Sequence, residues 1–515
     1  MQQIAPLHEL LRTRFGLSEF RKGQLAILES VLKRQDTLAV MPTGGGKSLC
    51  YQLPALHFGG LVLVISPLIA LMKDQVRLLR AQGLPAGCLH SGQTNDEKRE
   101  VFREMNKGGP FILYLSPERT QMPNFGEWLK TQNVVLFAID EAHCVSQWGH
   151  DFREDYGKLS VLRQAKPDVP ILALTATATP RVLNDIEKQL SIKAPERHVY
   201  GFYRPNLFYQ IEICPDDGVK FAMLKAAILK NPEGRILIYS GTRNNCEELA
   251  SSLSQTFERV GYYHAGMGAE ERKRVQEQLD RGELRIMVAT NAFGMGIDYP
   301  DVRLVVHVQM PANIESLYQE MGRAGRDGKP SACLLLYSKK DRGLHSYFIN
   351  SSKAPHNIIN QRWRALETIT QFVESAECRH AGILTYFRDT DRIEACGHCD
   401  TCAPGSLLRI PKLNEAARVA AGAKKALRKA KAAKEPPQEL NGPEAEARAL
   451  ILRDWRKRFA KERDVPAFII FSDRTLRDLA SRNPRSLTDL EKVYGLGPAK
   501  IELFGGELLK ELGQC

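Results

Sequence analysis

The sequence predicts an α/β protein: two parallel-sheet lobes in tandem, followed by smaller helical modules. Three observations carry this prediction. Short runs of branched apolar residues alternate with helical stretches from about residue 30 to 340, and continuously apolar strands between helices mark parallel sheets covered on both faces. The runs form two sets: LVLVISP (61–67), FILYLSP (111–117), VVLFAID (134–140) and ILALTAT (171–177), then RILIYSG (235–241), RIMVATN (285–291), RLVVHVQ (303–309) and ACLLLYS (332–338). Finally, 515 residues exceed what one hydrophobic core holds, so three or four domains are expected.

Taken in order, residues 1–200 are expected to form the first lobe and 201–345 the second. FYRPNLFY (202–209), with a Pro inside an aromatic run, is expected to be the joint between them. Residues 346–404 read as a helical module ending in a cysteine cluster at 396–402. Residues 405–445 read as a linker. Within it, 405–434 holds nine basic residues against one acid (Glu415), with many alanines and no useful hydrophobic face, and EPPQELNGPE (435–444) is a Pro/Gly-containing spacer. Residues 446–515 read as a compact helical bundle whose core is Trp455, Phe459, Phe468, Ile470 and Leu476.

Composition narrows the function classes. Hydrophobic residues make up 43% and charged residues 26%, which excludes a disordered chain. The net charge of +12 favours a polyanionic partner, nucleic acid ahead of a membrane surface. The start of the sequence lacks an apolar targeting core, and the longest apolar runs, such as LVLVISPLIALM (61–72), are too short to span a bilayer. Eleven cysteines over this length do not read as a disulfide framework, so a reduced cytoplasmic setting is expected, at the nucleoid in a bacterium.

AVMPTGGGKS (39–48) follows a short apolar strand and precedes a helix. Thr43 opens its turn, and Gly44, Gly45 and Gly46 let backbone N–H groups approach phosphate oxygens with no Cβ in the way. Lys47 can reach the β/γ-phosphates of ATP, and the Ser48 hydroxyl can hold Mg²⁺. Met41 stands where the general phosphate-loop pattern has its first Gly. VVLFAIDEAH (134–143) puts two carboxylates at the C-terminal end of a buried strand, the edge where open α/β sheets bind ligands. Asp140 is expected to hold the magnesium and Glu141 to polarise the attacking water. In the second half, YQEMGRAGRDG (318–328) offers Arg323 and Arg326, three residues apart and so expected on one helical face. Arg326 is the first candidate for an arginine finger, with Arg323 beside it, and AFGMGID (292–298) adds Asp298 for coupling between lobes.

FGLSEFRKGQ (15–24), MPTGGGKS, SPLIALMKDQV (66–76), DEAHCVSQWGHDFR (140–153), TATAT (175–179), FYRPNLFY, ATNAFGMGID (289–298) and QEMGRAGRDG (319–328) together resemble the RecQ helicases of superfamily two in order and spacing. The resemblance runs from about residue 8 to 402 and resumes in the terminal bundle. It implies that both lobes are RecA-like, and that Phe20, Arg21 and Gln24 frame the adenine, with Gln24 touching it. It also implies that SQWGHDFR (146–153) is an aromatic-rich loop linking DNA contact to hydrolysis. The residues suit that role: Trp148 and Phe152 offer stacking faces in the polar company of Gln147, His150 and Arg153, and stacking one base contributes about 1–3 kcal/mol whatever the sequence. Tyr299 stands where the family usually has Lys, which puts coupling or DNA grip in question.

Cys378 stands 17 residues before CGHCDTC, whose thiols are Cys396, Cys399 and Cys402. Four such thiols suit a closed tetrahedral structural Zn²⁺, with His380 and His398 as rival ligands, and the resemblance favours the four cysteines. The other seven cysteines read as small buried or incidental thiols. Residues 452–512 resemble an HRDC domain, which implies an auxiliary DNA-binding role or a protein-docking one. The winged helix that often follows the family's zinc module has no segment here to form it.

The expected activity is ATP-dependent DNA unwinding in repair or recombination, its 3′-to-5′ polarity coming from the resemblance alone. Single-stranded and tailed duplex DNA are the expected partners, with a single-strand-binding or repair protein as a further one, and the chain is expected to be a monomer without a membrane partner. Rival readings are a translocase or remodeller that barely unwinds, a DNA-annealing scaffold, and an RNA helicase.

Overall fold

The computed structural model describes residues 5–42, 44–146, 153–294, 299–352, 354–412, 442–462, 470–471, 473–493, 496 and 498–513. The chain divides into two units, Met1–Leu413 and Asn414–Cys515.

The first unit contains two all-parallel sheets. Strands β1 (Thr37–Val40), β2 (Leu61–Ile65), β3 (Ala86–Leu89), β4 (Phe111–Leu115), β5 (Val134–Ile139), β6 (Ile171–Thr175) and β7 (Glu196–Val199) lie in the order β3-β4-β2-β5-β6-β1-β7. Successive residues of a strand face opposite sides, and both sides are apolar here. Leu63, Ile65 and Phe137 enter one core, while Val62, Val64 and Leu136 enter the other. The second sheet holds β8 (Leu207–Ile213), β9 (Arg235–Tyr239), β10 (Val260–Tyr263), β11 (Ile286–Ala289), β12 (Val302–His307) and β13 (Ser331–Tyr337), in the order β10-β11-β9-β12-β13-β8. The two expected sheets are present, and all eight apolar runs named from the sequence form strands within them.

Two expectations need correction. FYRPNLFY is only partly a joint: after Pro205 and Asn206 the chain enters β8, which pairs with β13 from Leu207 onward. Its apolar and aromatic residues on alternate positions are what a strand requires. Arg323 and Arg326 do not share a helical face. The helix Ile314–Met321, started by the Asn313 side chain accepting the Ser316 N–H at 2.7 Å, ends at Gly322. Gly325 then turns with φ 55, so both arginines stand on the turn that follows.

β8 is an edge strand, and the zinc module covers it. Asp400 donates its N–H to the Tyr209 carbonyl and accepts the Ile211 N–H on Oδ2, both at 2.9 Å. The Gln210 side chain pairs in both directions with the backbone of Ile410, at 2.7 and 2.9 Å. Asp400 is itself gripped by buried Arg379, Nε to Oδ1 2.9 Å. An edge whose backbone groups are occupied cannot template a foreign strand. The helices Lys339–Asn350, His356–Glu374 and Arg379–Phe387 complete this unit.

In the second unit, helices Pro443–Glu462, Asp473–Arg482, Leu487–Leu490 and Pro498–Leu512 enclose a small core. Trp455, Phe459, Ile470 and Leu476 are buried as expected, with Trp455 stacked on Phe459 at 4.6 Å. Phe468 and linker residues 413–441 lie outside the described residues. Among the described residues, no helix is long and apolar enough to cross a membrane.

Candidate nucleotide site and zinc centre

The phosphate loop leaves the end of β1 and closes on the helix Leu49–Phe58. Gly44 and Gly46 both have positive φ, 79 and 76, a conformation that a residue with Cβ adopts only under strain. Lys47 Nζ lies 3.4 Å from the carbonyls of both Met41 and Pro42, at the centre of the turn. Thr43 lies outside the described residues. Gln24 is buried beneath the loop, its Nε2 donating to Gly46 O at 2.9 Å and Gly45 O at 3.3 Å while its Oε1 accepts the Arg21 N–H at 2.7 Å. Arg21 adds a bond from Nη1 to the Gly44 carbonyl. A Cβ on Gly46 would displace the Gln24 amide from the loop, on top of the strain its positive φ imposes on any other residue. Phe20 packs edge-on against His8, ring centroids 5.0 Å apart. Arg21 and Gln24, assigned by resemblance to the adenine, thus brace the phosphate loop directly.

Asp140 and Glu141 follow the end of β5 on the same sheet edge. Asp140 is 9% exposed. Burial, then the adjacent Glu141 charge, pushes its carboxyl up to about 7 against the opposing pull of Lys47 and a 3.0 Å bond from the Glu141 N–H. A divalent cation at this carboxylate would hold it ionised. Glu141 sits in the left-handed region at φ 47, a strained conformation for a residue with a side chain. Its Oε2 is buried without a hydrogen bond among the described residues, 3.4 Å from His143 Nδ1. His143 Nδ1 in turn shares a 2.9 Å bond with Thr175 Oγ1, which accepts the Thr177 N–H at 3.3 Å. The acidic pair is thereby linked to TATAT at the end of β6, a connection the sequence reading did not make.

The second lobe reaches this site. A Cβ built on Gly44 would lie 3.6 Å from Arg326 Cγ, so the Arg326 side chain runs directly over the phosphate loop. Arg323, 4% exposed, lies against Gly294 and beside Tyr239, whose hydroxyl burial pushes up to about 12 with Arg323 opposing. The turn carrying both arginines is fixed by two residues the sequence reading missed. Arg204 donates to the carbonyls of Gly322 (3.3 Å), Ala324 (3.0 Å) and Gly325 (3.1 Å), and Asn206 to Gly325 (2.8 Å) and Lys329 (3.0 Å). The available signal was two polar residues inside an aromatic joint.

Of the aromatic-rich loop, Gln147, Trp148, His150 and Phe152 lie outside the described residues, as does Asp298. Arg153 is half-buried and gives Nη1 to the Pro67 carbonyl at 2.9 Å, tying the loop's exit to SPLIALMKDQV. Tyr299 is held within the second lobe, its ring 4.7 Å beneath the Arg235 guanidinium and its hydroxyl bonded to Asp280. At the C-terminal edge of the second sheet a cleft of about 820 Å³ opens, lined by Ser240, Gly241, Asn291, Gln309 and, from the helical module, Arg362.

The four cysteines converge. The sulfurs of Cys378, Cys396, Cys399 and Cys402 lie within 4.8 Å of one another; Zn–S bonds of about 2.3 Å in a tetrahedron need sulfurs about 3.8 Å apart. Backbone N–H groups of Ala381 (3.5 Å) and Cys396 (3.3 Å) point at Cys378 Sγ, and that of His398 at Cys396 Sγ (3.3 Å). At Cys402 burial raises the thiol, but N–H groups of Gly397 and Cys396 and the neighbouring thiols outweigh it and hold the group at about 6, whereas at Cys378 and Cys396 burial leads and pushes the thiols up. Donors aimed at sulfur suit thiolates, so these residues fit zinc. Six of the other cysteines (50, 88, 144, 214, 246 and 333) are buried and unbridged.

Two parallel sheets, with a phosphate loop in one lobe and an arginine from the other laid over it, define a two-lobed nucleotide-driven motor. The comparisons with known proteins agree. Residues 21–186 match the DEAD/DEAH box helicase family, 219–328 the helicase conserved C-terminal domain, 339–403 the RecQ zinc-binding domain and 445–512 the HRDC domain. The chain is 34% identical to the ATP-dependent DNA helicase RecQ of Haemophilus influenzae, over 96% of this chain and 94% of that protein. It is 35% identical to the Bacillus subtilis protein of the same name, over 98% of each. The chain belongs to the RecQ family. The first of these alignments runs over 591 positions, more than the 515 residues of this chain, so that relative carries residues with no counterpart here. In fold the chain resembles the Mycobacterium smegmatis helicase Lhr bound to ssDNA and AMP-PNP, with a TM-score of 0.53 at 20% identity over 72% of this chain and 58% of that one.

Proposed function

We propose that this protein is an ATP-dependent DNA helicase that moves 3′ to 5′ along single-stranded DNA and separates duplex ahead of it, in repair or recombination. The observation that supports this best is the side chain of Arg326, from the second lobe, lying over Gly44 of the first. A site that draws on both lobes can convert hydrolysis into relative motion of the lobes.

In this reading the N–H groups of residues 44–46 and the ammonium of Lys47 bind the ATP phosphates, and Ser48 and Asp140 hold magnesium. Bound there, that ion would neutralise charge on the phosphates. Glu141 Oε2, buried without a donor among the described residues, orients a water and accepts its proton. Arg326 balances the charge that accumulates on the transferred phosphoryl group, with Arg323 beside it and Asp298 coupling the lobes. Phe20, Arg21 and Gln24 sense the adenine, and through Gln24 that contact reaches the loop itself. Gln147, Trp148, His150, Phe152 and Arg153 bind single-stranded DNA and pass its presence to Glu141 through His143. The terminal bundle, from about residue 446, adds DNA contacts. The enzyme works as a monomer in the cytoplasm, alongside a single-strand-binding protein.

One observation favours a second reading, a translocase that unwinds little: the aligned relative carries residues with no counterpart in this chain. ATP turnover with and without single-stranded DNA tests the shared core. DNA-stimulated turnover lost in Lys47→Ala, with DNA binding largely kept, is expected. Turnover that survives in Lys47→Ala would overturn the active-site assignment.

A further inference from the structure

Beside the four-cysteine cluster, two imidazoles are set with bare nitrogens and nothing to receive. His380 Nε2 lies 3.1 Å from the Leu207 carbonyl, so the proton sits on Nε2 and Nδ1 carries the lone pair. His398 is fixed in the opposite sense: Nδ1 lies 2.7 Å from the Cys396 carbonyl, which leaves Nε2 bare. Both bare atoms, His380 Nδ1 and His398 Nε2, are buried without a hydrogen-bond partner among the described residues. The rings are 4.6 Å apart, and one nitrogen of each lies with Cys396 Sγ inside 4.8 Å. Leaving a buried acceptor unsatisfied costs about 1–3 kcal/mol, and the two rings that carry these acceptors stand beside one sulfur. Binding of one ring nitrogen to a backbone carbonyl is also how proteins orient an imidazole for a metal on the other.

We propose that His380, His398 and Cys396 form a second metal site for a borderline-soft divalent ion of the zinc class, with the Cys396 thiolate shared between this ion and the four-cysteine zinc. Bonds of about 2.0 Å to nitrogen and 2.3 Å to sulfur bring ligand atoms to about 3.5 Å from one another, so atoms already inside 4.8 Å need only a small closure on binding. Three protein ligands leave the fourth position to water. The site is wedged between functional parts. Tyr203 of the interlobe joint meets both imidazoles edge-on at 5.3 and 5.7 Å, and Tyr209 of β8 stacks on His380 at 4.3 Å. A bound ion therefore fastens the joint, the edge of the second sheet and the zinc module to one another. This inference goes beyond the helicase reading and rests on the four-cysteine zinc only through the shared Cys396.

The test is metal content of the full-length protein after incubation with excess ZnCl₂ and removal of free metal. Two zinc ions per chain are expected in the wild type and one in His398→Asn. His398 is half-buried and on a short connection, so that variant should keep the fold; His380→Asn, at a fully buried position, should give the same loss. Loading with Co²⁺ should show a second equivalent with imidazole–thiolate absorption in the wild type that His398→Asn lacks. One ion per chain in the wild type, or two retained in both variants, overturns the proposal. None in the wild type would remove the four-cysteine zinc along with it.

Discussion

Arg326 and Gly44 stand 282 positions apart in the sequence, yet the arginine's aliphatic stem lies against the glycine. Arg326→Ala should lower kcat about 10³-fold or more with little change in KM for ATP, because an arginine finger acts on the transition state; a modest fall measured by steady-state turnover would move the role to Arg323. Asp140 adds a pH dependence. Its carboxyl is raised to about 7 mainly by burial, and the cation needs the ionised form. Magnesium affinity should therefore fall about tenfold for each pH unit below 7 and level off above it. Magnesium titrations of ATPase activity at several pH values check this, and a flat profile from 6 to 8 would count against it. The residues proposed for the chemistry could be picked from the sequence, because a Gly-rich loop ending in Lys and Ser, combined with paired acids at the end of a strand, points to phosphate and magnesium. Arg204 and Asn206 could not. They act by capping backbone carbonyls of residues 322–329, and nothing in the sequence pairs one segment with the other. Arg204→Ala should lower kcat for ATP turnover several-fold while leaving nucleotide binding intact, since Arg204 positions the arginine turn and touches no phosphate.

At the scale of elements, the interior strands were legible and the sheet edges were not. The four edge strands are β3, β7, β8 and β10; three went unnamed and β8 was taken for joint. AGCL, ERHV and VGYY are short and small, polar or aromatic rather than continuously branched apolar, because an edge pairs on one side only. The arginine turn misled for a related reason: i, i+3 spacing implies one face only while the helix lasts, and Gly322 and Gly325 end it. The most consequential edge is β8, which the zinc module seals through Asp400. Asp400→Ala leaves Arg379 buried without its partner and frees the Ile211 N–H, so it should cost about 3–5 kcal/mol of stability by denaturant unfolding. Cys399 is fully buried, so Cys399→Ser should release the zinc, uncover the β8 edge and promote aggregation. A soluble Cys399→Ser protein with full metal content would refute the four-cysteine assignment.

For the whole molecule, a nucleotide site completed from both lobes is joined through the Arg204 joint and the β8 edge to the zinc module. Closing on ATP should therefore move the second lobe and the zinc module together. Residues 146–153 are proposed to couple DNA contact to hydrolysis, so Trp148→Ala should reduce the stimulation of ATPase by single-stranded DNA while basal turnover persists; an unchanged ratio would argue against a coupling loop. What this motor accomplishes on duplex is the central claim, given relatives that carry additional sequence. The most direct measurement is strand separation on duplexes bearing a 3′ or a 5′ single-stranded tail, with ATP and a Lys47→Ala control. Unwinding of the 3′-tailed duplex alone, lost in the variant, is the predicted result. DNA-stimulated ATP turnover with no strand separation on either substrate would contradict the account and leave a translocase in its place.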